Sequence, residues 1–409
     1  MNSTRRGALS AVALLGVTAL ALTACTARSA DPGPADADDP AKDTTPIVIG
    51  ASWPQSGPAG SVAPGLAGFE TYIEGVNDAG GVNGHPIELV TADDAYDPAR
   101  LVENQRKFVE KDGAMLVANF GGISLAGRDY LRQKGVAGVS LAANSPLGDV
   151  EEYPLQRAFW PDVAWEGQLQ AEWITEQNPD AKVAYVGFNN DLSESHLAGL
   201  AAGGIVPAEQ ALVAPGTADL SAQVSQFQAA GVDTLIINIG APTVGALLGY
   251  IHQIGWKPTL MLGSTTSDFT AAIYQASPPA VAGAYAYKWY MDPSDPRFAD
   301  DERYKAYAAA MTEAGHEKEI GDSLAFSGYG MAAAIVGALE QADTLDAEGF
   351  VAAWDSFSDF ENPLTLPGID FDSGPFGRIV FQFELNKFDG VSWQPEGEIV
   401  DVRDLGFVD

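Results

Sequence analysis

From Pro46 onward, short apolar runs alternate with longer amphipathic stretches along the chain. The first apolar run, IVIGA at 47–51, is short and continuous, as in a buried strand. The amphipathic stretch after it places apolar residues three or four positions apart, which is the spacing of one helix face. These residues are Val62, Leu66, Phe69, Ile73 and Val76. The pattern therefore predicts a strand followed by an amphipathic helix.

The same alternation continues in two series. The first series predicts further strands at 87–92, 114–118 and 136–141, with a helix from Pro98 through Lys111. The second series begins with a helix at 165–177 and predicts strands at 182–188, 233–239 and 258–263. Because continuous apolar strands that alternate with helices indicate parallel sheets covered on both faces, we predict an α/β protein with two doubly wound, Rossmann-like lobes. Later apolar runs at 281–290 and 378–385 are expected to return the chain and complete the lobes.

Residues 1–24 have the pattern of an export signal, in which Arg5 and Arg6 precede an uncharged run rich in Ala, Leu and Val. A membrane-spanning helix is the alternative, but the run is barely long enough to cross a bilayer. The stretch LTAC at 22–25 resembles the lipobox of bacterial lipoproteins, which implies cleavage and lipidation at Cys25. This residue is the only cysteine, so no disulfide forms within the chain. The two arginines leave both secretory and twin-arginine export open.

The segment 25–45 is predicted to be a flexible tether, because it is rich in Pro, Ala and Asp and has no large apolar residue. With the lipobox, it places the folded protein on the outer face of the cell membrane. The whole chain carries 55 Asp and Glu against 22 Lys and Arg, a net charge of −33. This excess makes nucleic acid and an anionic bilayer surface poor partners.

Signatures of catalysis are scarce in the sequence. The histidines are His85, His196, His252 and His316. None has a second histidine or a cysteine at metal-ligand spacing, and neither a Gly-x-Ser-x-Gly elbow nor a phosphate-binding Gly-x4-Gly-Lys-Ser/Thr loop occurs. An acidic cluster at 93–97 could bind a cation, but we favour an aspartate that caps the helix beginning at Pro98. We therefore expect no enzyme, no cofactor and no metal.

Two loops of small residues stand out at predicted strand ends. Gly121 and Gly122 follow the strand at 114–118, and Ala142, Ala143 and Asn144 follow the strand at 136–141. Ligands of open parallel sheets bind beyond the carboxyl ends of the strands. Small side chains there let backbone N–H groups approach a ligand, and a helix start favours an anion. Tight turns are the structural alternative for each loop.

Several stretches resemble the branched-chain amino acid family of ABC-transporter solute-binding proteins, which have periplasmic binding protein fold type I. They are PQSGPAG, NDAGGVNGHPIELVTADDAYDPARLV and VSLAANSP. The resemblance covers most of 47–409 and is most specific over 77–98. It implies two lobes joined by a hinge of three crossings, near 160–165, 285–290 and 378–383. The implied domain bounds are 46–163 with 288–378 for the N-terminal lobe, and 164–287 with 379–409 for the C-terminal lobe.

The resemblance also implies which residues line the cleft between the lobes. On the N-terminal side they are Trp53, Ser56, Gly121, Gly122, Ala142, Ala143 and Asn144. On the C-terminal side they are Leu192, Gly240, Thr265 and Asp268. Family aromatics fall near Leu192 and Gly240, and the acid that meets a solute ammonium falls near Thr265, with Asp268 three residues on. Trp160, Tyr287 and Trp289 stand near the crossings, where they wall the cleft or pack the hinge.

These features predict a lipid-anchored, monomeric receptor that delivers a small organic solute to an ABC permease complex and does no chemistry. An amino acid of the branched-chain type is favoured, because family members bind such solutes. Since Thr265 replaces the expected acid, a carboxylic acid, an amide or a urea-like solute is the alternative. A sensory receptor with the same fold and an exported hydrolase are the other function classes.

Overall fold

The computed structural model describes residues 44–214, 217–240, 243–267, 278–374 and 376–408. Its strands are β1 Ile47–Trp53, β2 Ile87–Asp93, β3 Leu116–Phe120, β4 Ala137–Leu141, β5 Gln156–Ala158, β6 Val183–Phe188, β7 Glu209–Val213, β8 Thr234–Asn238, β9 Thr259–Leu262, β10 Tyr285–Lys288, β11 Gln382–Phe388 and β12 Trp393–Asp401. Its α-helices are Pro64–Asp78, Pro98–Lys107, Arg128–Lys134, Val163–Gln177, Asp191–Ala202, Ser221–Ala229, Thr243–Gln253, Ser264–Ser267, Pro278–Val281, Glu302–Glu313, Ser323–Gln341 and Ala347–Trp354.

The first sheet has the strand order β2-β1-β3-β4-β5, and all its pairs are parallel. Helices cover both of its faces. On one face, Phe69 packs with Ile49 in the large core cluster. On the other, Phe108 and Leu131 pack with Val117. This burial on both sides is why these strands are continuous apolar runs in the sequence. We call the lobe built on this sheet the near lobe.

The second sheet, among the described residues, has the order β12-β11-β10-β9-β8-β6-β7. Its strands pair in parallel from β7 to β10, whereas β11 runs antiparallel to both β10 and β12. The strand predicted at 378–385 begins later, at Gln382. Arg378 lies outside it, because its buried guanidinium donates to carbonyl groups at the hinge rather than facing solvent. We call the lobe built on this sheet the far lobe.

The chain passes between the two sheets three times. It leaves the first sheet after β5, returns after β10, and enters the second sheet again at β11. During its return it forms the helix Ser323–Gln341, which packs against Pro64–Asp78 of the near lobe. Glycines make this contact close, since a Cβ at Gly68 or Gly328 would collide with the backbone of the facing helix.

The helix Ser323–Gln341 is the one described helix that is long and apolar enough to cross a membrane. However, 89% of its most apolar 18-residue window is buried inside the fold, as in the core helix of a soluble protein. The predicted signal, Cys25 and most of the tether lie outside the described residues and stay predictions.

The predicted fold class, two doubly wound α/β lobes with a three-crossing hinge, is confirmed. The predicted helix start at Pro98 is also confirmed, since the Asp97 carboxylate accepts from the backbone N–H groups of Ala99 and Arg100 at 2.8 and 3.2 Å. The sheets define which strands belong together but not where each lobe ends, so the predicted domain bounds stay predictions.

Candidate functional site

The loop after β3 begins with a glycine that the backbone requires. Gly121 has a φ of 77°, which is the left-handed region that side chains disfavour. Its N–H donates to the carbonyl oxygen of Leu141 at 3.1 Å, and its own carbonyl accepts from the Ser124 side chain at 2.7 Å. This geometry turns the chain sharply and leads Gly122 into a 3₁₀ turn at the carboxyl edge of the first sheet.

Two polar side chains lie over this glycine pair. A Cβ at Gly121 would stand 2.7 Å from the ring of Tyr96, and one at Gly122 would stand 2.7 Å from the side-chain nitrogen of Asn144. The Tyr96 hydroxyl lies beside the backbone N–H of Gly122. Asn144 is only 4% exposed, and its side-chain amide has no hydrogen-bond partner within the described part of the chain. The small residues therefore make room for Tyr96 and Asn144.

The loop after β4 is buried and attached to the hinge. Ala142, Ala143 and Asn144 are each at most 5% exposed. The carbonyl of Ala143 accepts from the Val163 N–H at 3.0 Å, and that of Asn144 accepts from Arg378 at 2.6 Å. Hydrogen bonds therefore attach this loop to the hinge crossings.

Trp53 and Ser56 use their polar groups inside the near lobe. Trp53 is fully buried, packs its ring against Phe120 at 5.1 Å, and donates its indole N–H to the Val62 carbonyl at 3.0 Å. The Ser56 hydroxyl donates to the Asp93 carboxylate. This bond, with backbone N–H groups, lowers the pKa of Asp93 to about 2. Both residues thus support the carboxyl edge of the sheet, and their direct contact with a solute stays a prediction.

The predicted far-lobe residues lie at the carboxyl edge of the second sheet, as far as they are described. Leu192 lies in the first turn of the helix Asp191–Ala202 and packs against the core. Gly240 follows β8, and Thr265 lies in the short helix Ser264–Ser267; both are half-buried. Asp268 lies outside the described residues.

The carboxyl edges of the two sheets face each other. The backbone N–H of Ser145, after β4, donates to the hydroxyl of Ser195, in the helix after β6, at 3.2 Å. Beside this contact is a small pocket with room for about one water molecule in this conformation. Its walls come from both lobes and all three crossings: Ala143, Trp160, Pro161, Asp162, Val163, Glu166, Ser264, Trp289 and Phe383. A larger solute therefore requires the lobes to move apart.

Glu166 and Ser264 are pocket residues that sequence reasoning missed. Glu166 is 2% exposed, and its carboxylate accepts from the Ser264 hydroxyl at 2.9 Å and from the Gln170 side chain at 3.3 Å. The sequence feature that could have identified Glu166 is an acidic residue between apolar positions of a helix, directly after Trp165 at the first crossing. The carboxylate gives the pocket a hydrogen-bond acceptor that can carry negative charge.

A buried polar chain continues from Glu166 into the far lobe. Gln170 contacts His196 at 3.0 Å, and the other ring nitrogen of His196 lies 2.8 Å from the Asn238 side chain. Burial lowers the pKa of His196 to about 3, so its imidazole is neutral.

Three aromatic residues near the crossings were expected either to wall the cleft or to pack the hinge. Two of them, Trp160 and Trp289, line the pocket. Among the described residues, no group of three or more His, Cys, Asp or Glu could hold a metal ion.

Comparison with known proteins identifies relatives of this architecture. A periplasmic binding protein family model matches residues 46–387. Leu/Ile/Val-binding protein homolog 3 of Brucella melitensis is 28% identical over 54% of this chain and 62% of its own length. Leu/Ile/Val-binding protein BraC3 of Rhizobium johnstonii is 27% identical over the same shares. The matched region thus spans about 62% of these two curated relatives.

Solved structures share the fold over nearly their full length. A branched-chain amino acid ABC transporter protein from Thermus thermophilus with bound valine has a TM-score of 0.77 at 18% identity, covering 88% of this chain and 97% of its own. A solute-binding protein of an R. palustris ABC transporter in complex with benzoate has a TM-score of 0.72 at 16% identity, covering 87% and 98%. At these identities the likeness shows the fold alone. Because the family match extends over most of the chain, however, this protein belongs to the periplasmic binding protein family.

Proposed function

We propose that this protein is the extracytoplasmic solute-binding component of an ABC importer, which closes its two lobes on a small organic solute and passes it to a permease complex. The observation that carries the proposal is the pocket between the facing carboxyl edges, with walls from both lobes and from the hinge crossings. Hinge closure around a ligand is the motion that this arrangement permits. The proposal assigns binding and no catalysis to the site.

For the solute, we favour an amino acid of the branched-chain type. The relatives named above are called Leu/Ile/Val-binding proteins, and one structural neighbour holds valine. Glu166 supports this class, because it places a buried carboxylate on the pocket wall, and burying an ammonium group without a polar partner is costly. Glu166 thereby takes the role that the sequence had suggested for Thr265 or Asp268.

A solute without an ammonium group is the second candidate, and a specific observation favours it. A structural neighbour that covers 87% of this chain is a complex with benzoate. The near-lobe edge carries neutral polar groups on Tyr96 and Asn144, which lie against Gly121 and Gly122 and not on the pocket wall; they suit a carboxylate or an amide equally well. A sensory receptor for the same solute would have the same cleft, so the cleft does not distinguish sensing from transport. Permease and ATPase genes beside the gene for this protein would favour transport.

Thermal unfolding of the wild-type protein with a panel of solutes tests this proposal. The panel holds L-valine, L-leucine and L-isoleucine, their deaminated analogues, short amides and benzoate. A bound solute stabilises the closed form by about 2.7 kcal/mol at one hundred times its dissociation constant. A shift with the amino acids alone supports the favoured class, and a shift with the deaminated acids or benzoate alone supports the second. No shift with any member would refute the transport proposal.

We also propose that the mature protein is a monomer anchored to the membrane by lipid at Cys25. The support is the lipobox-like LTAC after the apolar run and the polar tether that follows it. Cys25→Ala should abolish the lipid mass and release the protein from membranes into the medium. If wild type carries no lipid mass and both forms stay on membranes uncleaved, the apolar run is a membrane span instead.

A further inference from the structure

Tyr96 has a backbone conformation that large side chains rarely adopt. Its φ is 59°, and the φ of the preceding Ala95 is 51°. The carboxylates of Asp93 and Asp94 accept from the N–H groups of Ala95 and Tyr96, at 2.9 and 2.8 Å, and hold this turn in place. Left-handed non-glycine residues persist only where the surrounding structure fixes them, and they concentrate at functional sites.

The ring of Tyr96 is supported by a cluster of tilted aromatic rings. It lies 6.4 Å from the ring of Phe120, which in turn lies 5.1 Å from that of Trp53. Trp53 is fully buried and Phe120 is 7% exposed, so the base of this cluster belongs to the core. The ring therefore rests on a rigid support at the carboxyl edge of the near-lobe sheet, directly over Gly121.

The hydroxyl of Tyr96 lies in front of the backbone donor that a solute would otherwise use. It stands 2.9 Å from where a Cβ on Gly121 would be, and beside the N–H of Gly122. A tyrosine hydroxyl can accept and donate at once, and no residue of the described part of the chain accepts its proton. Burial raises the pKa of Tyr96 above its ordinary value, and the nearby charges of Asp94 and Asp191 add to this rise. The group is thus a protonated donor at neutral pH, and Asp191 belongs to the first turn of a far-lobe helix.

We propose that Tyr96 is a solute-binding residue whose hydroxyl donates to an acceptor oxygen of the solute, a carboxylate or carboxamide oxygen, in place of the Gly122 N–H. Asn144 lies on the other side of Gly122 and adds a buried side-chain amide to the same subsite. The inference rests on the proposed function and names a residue that carries the near-lobe part of its specificity.

The test compares Tyr96→Phe, which removes only the hydroxyl, with Tyr130→Phe as a matched control. The Tyr130 hydroxyl donates to Glu110 at 3.3 Å on the exposed side of the same lobe. Calorimetric titration at pH 7 uses four probes: L-leucine, 4-methylpentanoate, 4-methylpentanamide and benzoate. For each carboxylate probe that wild type binds, Tyr96→Phe should raise Kd by about tenfold or more, the effect of a lost hydrogen bond to a charged group. Tyr130→Phe should leave Kd unchanged.

A Kd in Tyr96→Phe within twofold of wild type, with the fold intact by circular dichroism, would overturn the inference. If that variant does not fold, Asn144→Asp tests the same subsite. It places a carboxylate of nearly the same volume beside the solute oxygen, where the two negative charges repel each other. It should abolish binding of 4-methylpentanoate, and unchanged affinity would overturn the shared subsite. Wild type that binds none of the four probes would instead refute the proposed function itself.

Discussion

The guanidinium of Arg378 donates to the carbonyl oxygen of Asn144 at 2.6 Å. This bond joins the third hinge crossing to a loop at the carboxyl edge of the near-lobe sheet, 234 residues earlier in the chain. The same guanidinium donates to the Trp160 carbonyl at 2.6 Å and lies 3.4 Å from the Asp162 carboxylate, both at the first crossing. Asp162 in turn accepts from the Ser145 hydroxyl at 2.6 Å. One buried cation therefore links two crossings to the cleft.

Replacing this cation should destabilise the whole fold. Arg378→Met removes the charge from a fully buried side chain and leaves Asp162 without its cation and two carbonyls without their donor. Breaking a buried pair in this way costs about 3–5 kcal/mol. Urea unfolding should show this loss in the free energy of unfolding. Lys305→Met is the control, because the Lys305 ion pairs lie on the surface and should contribute little. Equal stability of Arg378→Met and wild type would refute the role of Arg378.

The sequence predicts the lobes well because their strands are buried on both faces. Continuous apolar runs at β1, β3, β4, β6 and β8 are readable without any knowledge of tertiary contacts. Arg378 shows the limit of this reasoning. Its position beside an apolar run suggested a strand, whereas its real environment is set by carbonyls from loops more than 200 residues away. Local periodicity carries no information about such partners.

The candidate site is predictable in part for the same reason. Glycines and alanines at strand ends correctly locate the loops of the near-lobe edge. The side chains that fill the space above them come from other segments: Tyr96 from the loop after β2, and Glu166 from the first crossing. Trp53 and Ser56 were predicted to contact solute, yet their polar groups bond within the near lobe. Only the folded chain shows which side chain lies over which backbone.

A larger side chain at position 122 should weaken solute binding without unfolding the protein. A Cβ there would stand 2.7 Å from the Asn144 side-chain nitrogen, so Gly122→Ala must displace the amide. We expect the Kd of any solute bound by wild type to rise at least several-fold, measured by calorimetry. Gly75→Ala is the control, since it lies in the helix Pro64–Asp78 with no atom within 4 Å of the added Cβ. That change should leave Kd unaltered and favour the helix. Identical Kd values in both variants would place the solute elsewhere.

The buried histidine should make stability depend on pH. Burial lowers the pKa of His196 to about 3, below the ordinary value of 6.5 in the unfolded chain. The unfolded state therefore binds more protons below pH 6.5, and stability contributed by neutral His196 falls as pH drops from 6.5 towards 3. The slope averages about 1 kcal/mol per pH unit between pH 7 and 5 and approaches about 1.4 below pH 5.5, where the unfolded-state imidazole is almost fully protonated. Urea unfolding between pH 7 and 5 should show this slope in wild type and in His252→Gln, whose histidine is exposed, but not in His196→Gln. The same slope in all three proteins would contradict the prediction.

The carboxylate of Glu166 should distinguish amino acids from their deaminated analogues. Glu166 lines the pocket at 2% exposure, and it accepts from the hydroxyl of Ser264 on the far lobe. If an ammonium group binds there, Glu166→Gln replaces a charged acceptor by a neutral one of the same shape. The Kd of L-leucine should then rise by about tenfold or more, whereas that of 4-methylpentanoate, which has no ammonium, should stay the same or fall. Glu176→Gln, on the exposed face of the same helix, should change neither value.

An equal rise in Kd for both probes would mean that Glu166 only supports the fold of the pocket. An unchanged Kd for L-leucine would show that the ammonium binds elsewhere, and the benzoate-like class of solutes would then become the better proposal, because it requires no acid at this position.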